Sequence, residues 1–172
     1  MIEPQTIIFQ VGDDVPNNPR LSVLIYRAAL DSNASDLPDR MEHLFQLNDW
    51  RGNWRNGIFN YHHFHPNAHE VLGIAAGNVD VKLGGEKGEV ITLKAGDIVV
   101  LPAGTGHKRV SDKQGLVVIG GYPKGQEDYD ICKSLEECPG AQKRISEVPL
   151  PKKDPVYGEN GPLISLWANA GA

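Results

Sequence analysis

The sequence predicts an all-β fold, a double-stranded β-helix or jelly-roll barrel, with one helix ahead of its core and short helical turns near the C-terminus. Three observations predict it. Between positions 57 and 121 short β-rich runs follow one another at 57–65, 69–76, 79–83, 90–93, 97–101, 107–110 and 116–121. Glycines such as Gly84-Gly85 and Gly88 separate them. Two further runs precede this block, which brings the count to that of a double-sheet jelly roll.

Taken in order, Thr6 to Val11 is a short strand and Gly12 to Pro19 is turn material rich in Asp, Pro and Asn. Leu21 to Leu30 is apolar without a breaker; it reads as a strand through Tyr26, although periodicity alone permits a helix. Ser35 or Asp36 then caps a helix with Pro38 in its first turn and Leu37, Met41, Leu44 and Phe45 at helical spacing. Gly52 and Asn53 place its end near Asp49, and Trp50 and Trp54 read as packing aromatics. The 172 residues suit one domain: N-terminal strands and helix over 5–50, a core barrel at about 57–121, and a wrapping tail over 122–172. In that tail Ser134-Leu135-Glu136-Glu137 resembles a capping box, and Pro149, Pro151 and Pro155 predict mostly extended chain beyond it.

Chemistry is concentrated in two stretches. The first is Gly57, His63, His65, Glu70 and Gly77. In an extended segment His63 and His65 share a face while His62 and Phe64 take the other. Pro66-Asn67-Ala68 reads as a turn that resets the register, so that Glu70 faces the same pocket with Leu72 and Ile74 behind it. His69 would replace Glu70 if that turn set the other register; otherwise it is a pocket or supporting residue. Gly77-Asn78 reads as a two-residue hairpin. The second stretch is Gly96, Pro102, Gly104 and His107, an apolar strand followed by a turn that presents His107. Three imidazoles and one carboxylate suit a first-row divalent metal better than magnesium or calcium.

Residue for residue, these stretches resemble the two signature motifs of the cupin superfamily, with Ser111 standing where the second motif usually has asparagine. The resemblance implies a metal held by His63, His65, Glu70 and His107, and turns at Gly57, Gly77, Gly96, Pro102 and Gly104. Asn17 to Leu21, Trp50, Trp54, Arg55, the run His69 to Gly73, and Gly161-Pro162-Leu163 with Trp167 are similar to a narrower group, the single-cupin bacterial proteins called YjlB-like. That resemblance carries the fold and the site and stops short of a reaction.

The expected cofactor is one divalent transition metal per chain, iron, manganese, nickel, zinc or copper, with coordination positions left open for a small-molecule ligand. Two function classes follow. One is a metal-dependent enzyme, an oxygenase first and an isomerase or lyase next; the other is a non-catalytic small-molecule or metal-binding module. Tyr61, on the face of His63, and Arg109, on that of His107, are pocket candidates; Arg109 would suit a carboxylate or enolate, or else pair with Asp97. His43 reads as a surface or packing residue.

The net charge of −5, the pI near 5.6 and the want of a basic cluster argue against nucleic acid as a partner. No apolar run approaches a membrane span, and the N-terminus lacks the pattern of a secretory signal, so a cytoplasmic protein is expected. In that compartment Cys132 and Cys138 read as free thiols. An outward Phe64 and the tail suggest a homodimer, as in other cupins.

Overall fold

The structure is a computed structural model that describes residues 1–170, apart from the side chain of Gln114. Its elements are β1 (Gln5–Ile7), β2 (Val23–Tyr26), α1 (Leu37–Leu47), β3 (Trp50–Asn56), β4 (Glu70–Leu83), β5 (Glu89–Lys94), β6 (Ile98–Leu101), β7 (His107–Pro123), α2 (Ala141–Ser146) and α3 (Pro162–Asn169). The strands pair antiparallel in the order β1-β2-β6-β4-β7-β3, with β5 on the second half of β4. Among the described residues no pairing closes β1 onto β3. On the side toward the site, two isolated bridges, His63 with His107 and Phe64 with Cys132, hold the connecting loops to the sheet.

Alternation along the strands divides the core in two. Val23 and Ile25 of β2, Leu72 and Ile74 of β4, Val99 and Leu101 of β6 and Val118 of β7 line the inner face. Their neighbours Leu24, Tyr26, Val71, Ile98, Val100 and Ile119 face outward and are covered by the helices. Helix α1 settles on β4 at Gly73, where a Cβ would come within 2.2 Å of Met41 Sδ, so glycine there sets how closely helix and sheet approach. Leu163 and Trp167 of α3, one turn apart, bury against the same outer layer.

Several expectations are corrected. The predicted hairpin at Gly77-Asn78 is a bulge inside one 14-residue strand: Gly77 takes φ 74° and the β4–β7 register shifts on both sides of Ala76. The runs 107–110 and 116–121 are likewise one strand, β7. Residues 57–65 form a loop with paired residues only at His63 and Phe64, and the regular strand lies earlier, at β3. That strand has its own register shift between Arg51 and Trp54, with Gly52 at φ 65°. It leaves Trp50 in the outer layer and turns Trp54 inward. The box at Ser134 caps only a turn, Glu137 N donating to Ser134 Oγ at 3.1 Å, and the tail is more helical than its prolines predict because Pro162 occupies the first turn of α3.

Cys132 and Cys138 are joined by a disulfide, which overturns the reading of two free thiols. Spacing gave no sign of it, because six residues of chain can fold back on themselves only where a turn such as 134–138 is built. By loop-closure entropy, reduction should lower the stability of the chain by about 2 kcal/mol. Denaturant midpoints with and without a dithiol check this; equal midpoints would show that the bridge stabilises nothing.

Candidate metal centre

One loop and the first residues of two strands bring the site together. His107 opens β7 after the turn Pro102–Thr105, in which Gly104 takes φ 91° and its N–H donates to the His65 carbonyl at 2.8 Å. His63 exchanges backbone bonds of 3.2 and 3.0 Å with His107, which places the two rings 3.9 Å apart. Pro66 and Asn67 form the expected bend, and Glu70 enters β4 on the inward face with Leu72 and Ile74. The donor nitrogens of His63, His65 and His107 all lie within 4.8 Å of one another, and all three residues are buried.

Each ring is fixed from behind. Nδ1 of His63 lies 3.0 Å from the Tyr61 carbonyl, that of His65 2.8 Å from the Asp130 carbonyl, and that of His107 2.9 Å from the Thr105 carbonyl. A carbonyl only accepts, so each Nδ1 carries the proton and each neutral ring presents a bare Nε2 to the centre. Glu70 meets them at the edge of the cluster, Oε1 at 3.1 Å from His107 Nε2 and Oε2 at 3.3 Å from His65 Nε2. Lone pairs opposed at such distances repel unless a positive charge, a proton or a metal cation, lies between them. Glu70 Oε1 is buried with no hydrogen-bond donor. This donor set fits a divalent transition metal.

Burial and charge act differently on the members of the cluster. Burial, with the neighbouring His107, lowers the His63 imidazole to about 3. Burial also disfavours a charged His65, but Glu70 and the Asp130 carbonyl outweigh it and hold the ring above its ordinary value. For Glu70, burial raises the carboxyl while His65 and His107 prevail and keep it well below the carboxylate range.

The cluster lies in the wall of a cavity of about 470 Å³ whose apolar lining includes Ile58, Phe59, Leu72, Leu116 and Ile131. Arg109 lines it too, paired at 3.0 Å with Asp112, whereas buried Asp97 is held by Arg27, the Ala28 N–H and the Lys94 N–H. Tyr61 stacks on Phe59 and meets the edge of the His63 ring, contributing its carbonyl to that ring. His69 is not part of this group. It faces the outer layer, fully buried against Trp167, and its Nδ1 accepts the Ala103 N–H at 2.8 Å. His62 pairs with Glu86, away from the centre, and His43 is exposed on α1.

Among the cavity residues that the sequence reading missed are Trp54, Tyr122, Tyr129 and Ile131. Tyr122 was legible, since the alternation Leu116, Val118, Gly120 continues to it. Tyr129 and Ile131 sit on a segment without periodicity, which the backbone pairing of Cys132 with Phe64 and the bonds of Asn67 to the Asp128 carbonyl and the Asp130 N–H bring to the site.

Residues 56–119 match the Cupin domain family. The chain is 36% identical over 166 residues, 96% of its own length and 97% of the relative's, to the uncharacterized protein YjlB of Bacillus subtilis (strain 168). It is a single-domain cupin of the YjlB-like group. Among solved structures, this cupin resembles acireductone dioxygenase from Bacillus anthracis, with cadmium in its active centre, at 16% identity over 60% of this chain and 79% of that one, with a TM-score of 0.41. It also resembles Bacillus subtilis oxalate decarboxylase, at 20% identity over 65% of this chain and 27% of that one, with a TM-score of 0.36. The cupin's departure at Ser111 falls outside the cluster: Ser111 Oγ donates to Asp80 at 2.6 Å and fastens β7 to β4.

His69 offers a test of the outer face. Burial lowers its pKa to about 3, and protonating Nδ1 would set a second N–H against that of Ala103. A folded-state value below the unfolded one means that its contribution to stability is complete above about pH 6.5 and is lost as pH falls toward 3. Between pH 7 and pH 5 this amounts to about 2 kcal/mol. The difference should disappear in His69→Gln, measured by urea unfolding at both pH values; an unchanged pH dependence would remove His69 as its source.

Proposed function

We propose that this cupin is a metal-dependent enzyme acting on a small organic molecule, an oxygenase by first preference and an isomerase or lyase by second. Nε2 of His63, His65 and His107 and one oxygen of Glu70 would hold one divalent transition metal per chain. The observation that carries the reading is the triple commitment of Nδ1 to backbone carbonyls, which leaves three lone pairs converging in the wall of the cavity. When bound, such an ion supplies Lewis-acid activation of a substrate oxygen or of water, and redox chemistry if it is iron, copper or manganese. The chain's own residues do the rest. Ile58, Phe59, Leu72, Leu116 and Ile131 give the substrate side an apolar lining, and Arg109 offers a cation at the wall for a carboxylate or enolate.

A second reading, a non-catalytic binder, is favoured by one observation. The acids lining the cavity are already engaged, Glu70 with the imidazoles and Asp112 with Arg109, so among the described residues no separate acid is left over the substrate space as a general base. Elemental analysis of protein purified without added metal tests the proposal. About one iron, manganese or copper per chain supports the oxygenase reading; zinc or nickel leaves isomerase, lyase and binding roles. A protein that holds no transition metal, and takes none up from millimolar solutions, would overturn it.

A further inference from the structure

We infer that Tyr122, backed by Trp54 and admitted by Gly120, is a positioning residue that confines Glu70 to one metal-facing oxygen; the inference rests on Glu70 being a ligand. The chain of cause begins in the β3–β7 pairing, where Trp54 stands directly opposite Gly120. A Cβ at Gly120 would come within 2.1 Å of the indole, so the absence of a side chain lets Trp54 lie across the neighbouring strand. From there Nε1 donates to Tyr122 Oη at 2.9 Å.

An indole N–H can only donate, which fixes the direction of everything beyond it. The phenol oxygen accepts from Trp54, and its own proton goes to Glu70 Oε2 at 2.7 Å. Tyr122 is buried and its ring stacks on Tyr129 at 4.1 Å, so the hydroxyl has little freedom to swing away. The two carboxylate oxygens are otherwise almost equivalent, one 3.1 Å from His107 Nε2 and the other 3.3 Å from His65 Nε2. The phenol breaks that equivalence. Oε2 is satisfied, and Oε1, without a donor, is left as the metal-facing atom.

Cobalt(II) titration of the full chain, followed by visible absorption and by competition with a chelator, tests this. Tyr122→Phe keeps the ring and removes only the hydroxyl. It should still bind one cobalt, with an altered d–d spectrum and affinity weakened by about 10- to 100-fold. Trp54→Phe should shift the spectrum in the same sense by less, and it decides the matter if Tyr122→Phe does not fold. Parent-like spectra and affinity in the folded variants would overturn the inference. Glu70→Gln separates two failures. If it too is parent-like, Glu70 is not a ligand; if it alone changes the spectrum, only the role of Tyr122 is lost.

Discussion

Replacing His63 and His65 together with alanine is expected to take the bound transition metal from about one ion per chain to below about a tenth. The two rings supply half of the proposed donor set, and the remaining pair, His107 and Glu70, would offer a cation only one nitrogen and one carboxylate oxygen. Among the described residues, neither of the other two nearby histidines can step in. His69 faces the outer layer with Nδ1 already accepting from Ala103, and His62 is directed at Glu86. The fold should survive, because both side chains line a cavity wall and the backbone bonds at 63 and 65 do not depend on their side chains. Elemental analysis beside circular dichroism distinguishes loss of metal from loss of structure. Full metal content in a folded double variant would refute the ligand assignment.

The second large effect is structural. Asp154→Ala should lower stability by about 4 kcal/mol or more. This carboxylate is fully buried and carries four donors. Oδ1 accepts from the N–H groups of Val156 and Tyr157 at 2.7 and 3.0 Å, while Oδ2 accepts from Leu163 N–H at 3.1 Å and from the Tyr26 hydroxyl. Leu163 belongs to the first turn of α3, so Asp154 caps that helix from outside it, and Gly161 must be glycine because a Cβ there would lie 2.3 Å from the Asp154 Cβ. Burial and the Asp154 charge also push the Tyr26 phenol far up, so the pair holds its proton on Tyr26. Urea unfolding of Asp154→Ala, Tyr26→Phe and the double variant would apportion the network. Tyr26→Phe alone should cost about 1 kcal/mol. A loss below about 1 kcal/mol in Asp154→Ala would show that α3 is held by apolar packing instead.

The parts of this molecule legible in its sequence are those governed by short periods. The inward face of Glu70, Leu72 and Ile74 follows from a two-residue repeat restarted after Pro66, and α1 follows from its cap and spacing. Where glycine changes meaning, the reading failed. Gly77-Asn78 has the composition of a hairpin, yet the strand continues through it, because neighbours on both sides supply partners for a bulged chain that a lone hairpin would lack. Gly52 similarly re-aims Trp54, which no pattern in the sequence distinguishes from Trp50. The histidine cluster was visible because two motifs carry it. Its supports were not, since Asp130 and Thr105 contribute only carbonyls, which any residue could supply.

The length of β7 has a mechanical consequence. Its first residue, His107, and its sixteenth, Tyr122, both touch the Glu70 carboxyl, at 3.1 and 2.7 Å. A straight strand would hold those ends about 50 Å apart. The ribbon is therefore strongly bent and grips the acid like callipers, one jaw an imidazole and the other a phenol. The gap between the jaws is set by curvature far from either tip, where the pairing with β4 slips near Ala76 and Gly115 takes φ 66°.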